Sequence, residues 1–161
     1  MNYVNLIKLG SMKNNLGISL HNLANIQRGS AWKGLDPIQR HKRFCTFVDY
    51  AHGVRALFVI LRTYSYKYKL NSVSKVIHRY APLSENNTYE YIANVCRWIT
   101  EMYELPFCEE VYHVKADETF CMFNNPKSPT FFCKCLAKAI IRQETGVKVD
   151  DDLISNAISL L

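Results

Sequence analysis

The sequence lacks the patterns that announce cofactor or nucleophile chemistry. Six glycines are scattered through 161 residues and never cluster, so no glycine-rich phosphate loop is present. No G-x-S-x-G or cysteine-nucleophile signature occurs. His52, His78 and His113 show no H-x-x-x-H spacing. The six cysteines, Cys45, Cys96, Cys108, Cys121, Cys133 and Cys135, include no C-x-x-C pair, and Cys133-Lys134-Cys135 would point its thiols apart on a helix. A metal site is therefore not expected, and no cofactor is called for.

Long apolar runs are missing too. No stretch approaches the ~20 apolar residues that span a bilayer. Met1 to Leu20 is broken by Lys8, Lys13, Asn14 and Asn15, so no signal peptide is expected there. The expectation is a protein made in the cytoplasm with reduced, mostly buried thiols. Acidic residues are outnumbered, 14 against 20 Lys and Arg, which favours anionic surroundings such as nucleic acid, anionic lipid or bacterial wall polymers. With 48% hydrophobic and 21% charged residues, the chain has the makeup of a folded protein, and its length suits one domain over residues 1–161.

What is present is helical. The first forty residues are loop-rich, interrupted by Gly10, Gly17, Gly29, Gly34 and Pro37, with Asn14, Asn15, Asn22 and Asn25 favouring turns. Trp32 looks like a loop anchor, and Arg43 to Val48 reads as a short extended piece. Asp49 is placed to cap a helix carrying Val54, Leu57, Phe58, Leu61 and Tyr64 on one face and ending around Lys69. A shorter helix with Val73, Val76, Ile77 and Tyr80 opens at Asn71-Ser72 and stops before Pro82. Asn87 and Glu90 are spaced like a capping box for a third helix running to about Tyr103. Residues 105–130 read as irregular; a helix from about Thr130 to Thr145 and a last one from Asp150–Asp152 to Leu161 follow.

The helix over Ala139-Ile140-Ile141-Arg142-Gln143-Glu144-Thr145-Gly146 delivers one carboxylate at its last turn, just before a glycine that ends it. At the other end of the chain lies an asparagine-rich segment, His21-Asn22-Leu23-Ala24-Asn25-Ile26-Gln27. Together they point to a sugar-cleaving site; alone, Glu144 reads more readily as a solvated helix-end glutamate.

These residues carry a resemblance. Asn22 to Gln27, then Trp32-Lys33-Gly34, resembles the N-P-G-N-I-R and W-x-G of a family of phage and prophage virion-associated proteins often labelled structural. Likeness continues through Phe47, Gly53-Val54-Arg55-Ala56-Leu57, Leu61 and Tyr64. It resumes at Ala81-Pro82-Leu83-Ser84-Glu85-Asn86-Asn87-Thr88 with Tyr91, similar to A-P-P-x-E-N-D-T-x-x-Y, and ends at Ile141 to Gly146, against I-R-H-E-N-G. Leu23, Ala24 and Gln27 depart from the Pro, Gly and Arg of that pattern. Arg142-Gln143-Glu144-Thr145-Gly146 is also similar to the R-Q-E-S-G helix of lytic transglycosylases and wall glucosaminidases, whose glutamate is the catalytic acid.

The two resemblances imply a mostly α, circularly permuted, lysozyme-like domain over residues 1–161 with a loop-rich N-terminal segment. Permutation suits domains whose termini lie close together at the surface. The implied function is cleavage of peptidoglycan glycan strands, by hydrolysis or lytic transglycosylation. Glu144 would be the general acid, and Glu85 is the runner-up carboxylate, although a helix-start task suffices for it. Asn22 and Asn25 fit either hydrogen bonds to sugar groups or left-handed turn positions. Trp32 and Tyr91 fit either pyranose stacking or core anchoring. Arg55 suits an internal ion pair or cap. The implied partners are bacterial peptidoglycan and virion or secretion-machine proteins, at the cell wall or periplasm or within a virion; the alternative is a non-catalytic virion structural protein. His41-Lys42-Arg43 and the tyrosine–lysine cluster Tyr64 to Lys69 raise a nucleic-acid module, but a solvated helix face explains them as easily, and no nucleic-acid partner is assigned.

Overall fold

The computed structural model describes residues 7–8, 16–103 and 112–161. Cys108, Pro106, Gly10, Lys13, Asn14 and Asn15, all used in reading the sequence, lie outside the described residues. Among the described residues the protein is mostly α, with six helices and four very short strands. Contacts divide it into two compact units, Met1–Ile60 with Ile140–Leu161, and Leu61–Ala139.

In the first unit, β1 (Ile7–Lys8) pairs antiparallel with β4 (Val147–Lys148), Ile7 opposite Lys148. A single helical turn, α1 (Leu16–Ser19), leads into a long connection braced by isolated bridges, Gln27 to Phe44 and Leu35 to Phe47. The extended piece expected at Arg43 to Val48 is thus present as two bridges rather than a strand. Helix α2 (Tyr50–Tyr66) begins where Asp49 Oδ1 accepts the His52 backbone N–H at 2.8 Å and meets the His52 ring Nδ1 at 2.8 Å. Burial pushes the Asp49 carboxyl up, but these bonds and the nearby histidines outweigh it and hold it below its ordinary range. Helix α6 (Asp151–Ser159) is capped by Asp150, whose side chain accepts from the Leu153 N–H at 2.8 Å, and Asp151 and Asp152 occupy its positive end. Arg55 Nε (3.1 Å) and Lys33 Nζ (3.3 Å) donate to the Leu160 carbonyl just past its other end. Arg55, which the sequence suits to an internal ion pair or a cap, thus donates to the chain just past the end of α6. Phe47, Leu23, Val54, Leu57, Phe58, Ile140 and Ile141 form the buried centre of this unit.

The second unit holds α2 from Leu61 onward, α3 (Val73–Tyr80), α4 (Thr88–Tyr103), the hairpin of β2 (Phe123–Asn125) and β3 (Ser128–Pro129), and α5 (Phe131–Thr145) up to Ala139. Each helix start has a local cause. Ser72 accepts from the Lys75 N–H, Asn87 Oδ1 from the Glu90 N–H at 3.4 Å, and Thr130 Oγ1 from the Cys133 N–H at 3.2 Å. Asn87 Nδ2 also donates to Glu90 Oε2 at 2.8 Å, closing the expected capping box through side chains. Leu61, Val73, Val76, Ile77, Val95, Ile99 and Leu136 supply the buried centre, and Phe120 stacks on Phe132 with ring centroids 3.7 Å apart.

Candidate functional site

The residues from Leu20 to Ile26 turn inward as a short, buried loop. Leu23, Ala24 and Ile26 are buried, which accounts for apolar residues where the resembling pattern has Pro and Gly. The left-handed conformations that let the chain turn fall on His21 (φ 51°) and Asn25 (φ 50°). Asparagine tolerates that region better than most residues.

Asn22 is fully buried, and its amide serves the loop itself. Nδ2 donates to the carbonyls of Ile26 and Cys45, both at 2.9 Å, while Oδ1 accepts the Ile26 N–H at 2.8 Å. Both donor hydrogens are engaged, so Asn22 offers no hydrogen to a sugar. Its place is that of a brace, not a wall of a cleft.

Asn25 is half-buried and faces the other end of the chain. Its Nδ2 donates to Glu144 Oε2 at 2.7 Å and lies 3.4 Å from the Glu144 carbonyl oxygen. Glu144 sits on the last turn of α5, where Gly146 (φ 72°) terminates the helix and its N–H returns to the Arg142 carbonyl at 2.8 Å. Glu144 is half-buried, flanked in sequence by the buried Ile140, Ile141 and Val147. Thr145, buried beside it, folds its hydroxyl back onto the Ile141 carbonyl at 2.9 Å.

Gly17 makes this approach possible and carried no signal in the sequence beyond interrupting a period. A Cβ there would stand 2.7 Å from Thr145 Cγ2, 2.9 Å from the Asn22 carbonyl oxygen and 3.1 Å from Asn25 Oδ1. The end of α5 and the asparagine loop therefore meet over a bare backbone.

The remaining candidates are Trp32, Glu85 and Tyr91. Trp32 is half-buried in the same unit, its N–H on the Ser30 carbonyl at 3.1 Å and its indole Nε1 shielded from solvent without a hydrogen-bond partner. Glu85 and Tyr91 belong to the second unit. Glu85 is exposed and its N–H closes a turn onto Pro82 at 3.0 Å, ahead of α4. Tyr91 is 4% exposed, an anchor of that unit's core rather than an open stacking face.

Among the described residues no three His, Cys, Asp or Glu side chains gather as metal ligands, and no helix is long and apolar enough to cross a membrane. No protein-family model matches the chain. The chain is 40% identical over 80 residues to protein P5 of Pseudoalteromonas phage PM2, a match covering 47% of this chain and 50% of that protein. It is phage-related in sequence. The chain thus spans about half the length of the phage protein it matches.

Proposed function

We propose that the Asn25–Glu144 pair is the acid centre of a site that cleaves bacterial peptidoglycan glycan strands, on a circularly permuted, lysozyme-like scaffold. The observation that carries this reading is the 2.7 Å hydrogen bond joining two side chains 119 residues apart in sequence. It sets one carboxylate, half-shielded from water, against an amide; protonating a glycosidic oxygen needs that carboxyl to hold a proton. An amide N–H donated to a carboxylate favours the ionised form. A substrate acetamido or hydroxyl group would compete for the Asn25 amide. With a second carboxylate absent from the pair, the sugar's own acetamido or hydroxyl group would assist departure. Trp32 is the aromatic candidate for a sugar face; Asn22 supports the loop, and Glu85 and Tyr91 take no part in this reading. The protein would reach the wall as a virion component, on lysis, or through an injection machine.

The competing reading is a non-catalytic virion structural or interaction protein that keeps the same scaffold. The inward-facing Asn22 supports it. Turbidity loss on purified peptidoglycan, with assay of new reducing ends and anhydro products, separates the two. Wild-type protein should clear the suspension and Glu144→Gln, with an unchanged circular dichroism spectrum, should lose at least about a hundredfold in rate. Equal clearing by both proteins removes Glu144 from the mechanism. Wall binding by wild type with no new ends favours the structural reading.

A further inference from the structure

We propose that the end of α2, the turn after it and α3 form a binding platform for single-stranded nucleic acid, separate from the Asn25–Glu144 pair. The first observation is charge. Residues 61–84 hold Arg62, Lys67, Lys69, Lys75 and Arg79 and no Asp or Glu. Lys67, Lys69, Lys75 and Arg79 are exposed, and the ion pairs seen among the described residues, Arg40 with Asp36 and His52 with Asp49, lie elsewhere.

The second observation is the arrangement of rings. The Arg79 guanidinium lies 3.7 Å from the Tyr68 ring centroid and 5.5 Å from that of Tyr64. Tyr64 meets Tyr68 edge to face at 6.5 Å, and Lys67 Nζ is 5.3 Å from the Tyr68 centroid. Stacking and a hydrogen bond to the Tyr64 hydroxyl orient the planar guanidinium, and its remaining N–H groups can meet a phosphate. Tyr66 and Tyr68 remain 45% and 39% exposed, so ring surface faces water among the cations.

This combination fits a strand of phosphates and unstacked bases: separated cations for the backbone, and the exposed parts of Tyr66 and Tyr68 for the bases. A lipid surface would call for a broad apolar face. Between residues 61 and 84 the exposed side chains are mainly cations and tyrosines, and Leu83 is the one exposed aliphatic chain among them. Duplex DNA would engage the cations but leave the rings without exposed bases.

Fluorescence anisotropy of the full chain with a labelled oligothymidylate of about 20 nucleotides tests this. The logarithm of affinity should fall with the logarithm of salt at a slope near −3, for about four phosphates neutralised. Lys67→Gln combined with Lys69→Gln should flatten that slope by about 1.4. Tyr68→Ala should weaken binding about tenfold without changing the slope, and Tyr68→Phe should retain it, because stacking needs the ring and not the hydroxyl. Three results would each overturn the proposal. They are no binding by wild type at low salt, binding indifferent to Tyr68→Ala and matched by heparin, and tighter binding to vesicles of mixed zwitterionic and anionic phospholipid than to the oligonucleotide.

Discussion

At Asn22 the side-chain oxygen and both amide hydrogens engage backbone groups of Ile26 and Cys45 inside the first unit. Truncation to alanine leaves one N–H and two carbonyls without these partners in a place water does not reach. Asn22→Ala should therefore lower stability by about 2–4 kcal/mol, read from the urea midpoint. A loss under about 0.5 kcal/mol would mean that water replaces the amide. From the sequence, Asn22 and Asn25 were interchangeable, each a small polar residue suited to a turn or to a sugar. What separates them is which carbonyl lies within reach. Asn22 finds Cys45, 23 positions away, and Asn25 finds Glu144, 119 positions away. Neither distance leaves a local mark. The carboxylate before a helix-ending glycine was legible because Gly146 supplies the left-handed residue that such an ending favours.

The end of α2 follows different chemistry. The helix stops at Tyr66, and the Leu70 N–H closes back onto the Tyr64 carbonyl at 3.0 Å around Lys69 in the left-handed region (φ 54°). That is a left-handed ending with lysine where glycine is most at ease. Lys69→Gly should raise stability by about 1 kcal/mol, seen as a higher melting temperature, because it relieves the Cβ contact of that conformation. An unchanged or lower melting temperature would mean the lysine side chain contributes packing or charge that offsets the strain. The sequence reading carried this helix on to about Lys69 for the same reason: with no glycine or proline, nothing marks the stop. Where the stop or start signal is chemical, at Asp49, Ser72, Asn87, Thr130 and Asp150, the boundaries are close to those read from the residues.

For the whole molecule, burial orders the thiols. Burial pushes the Cys133 thiol far up, and the Cys96 thiol is pushed up to about 11 by burial and the nearby Asp117. Cys45 is raised by burial, partly countered by Arg28. Among the cysteines of the described residues, iodoacetamide at neutral pH with peptide mapping should modify exposed Cys121 first and leave Cys45, Cys133 and Cys135 untouched until the protein unfolds. Simultaneous labelling of Cys121 and Cys133 would contradict the packing around α5. The helical class and the positive balance were legible in composition and periodicity. The division into two compact units was not, because an apolar stripe tells that a helix is buried on one side without naming what covers it.

The bracing of the asparagine loop has one more consequence. Leu20 and Ile26 accept from the Phe47 and Cys45 N–H groups, and Asn22 ties the same stretch from within. The ordering entropy of that stretch is therefore settled during folding, before any guest arrives. On the reading proposed above, a guest that competes for the Asn25 amide would meet a loop already in place.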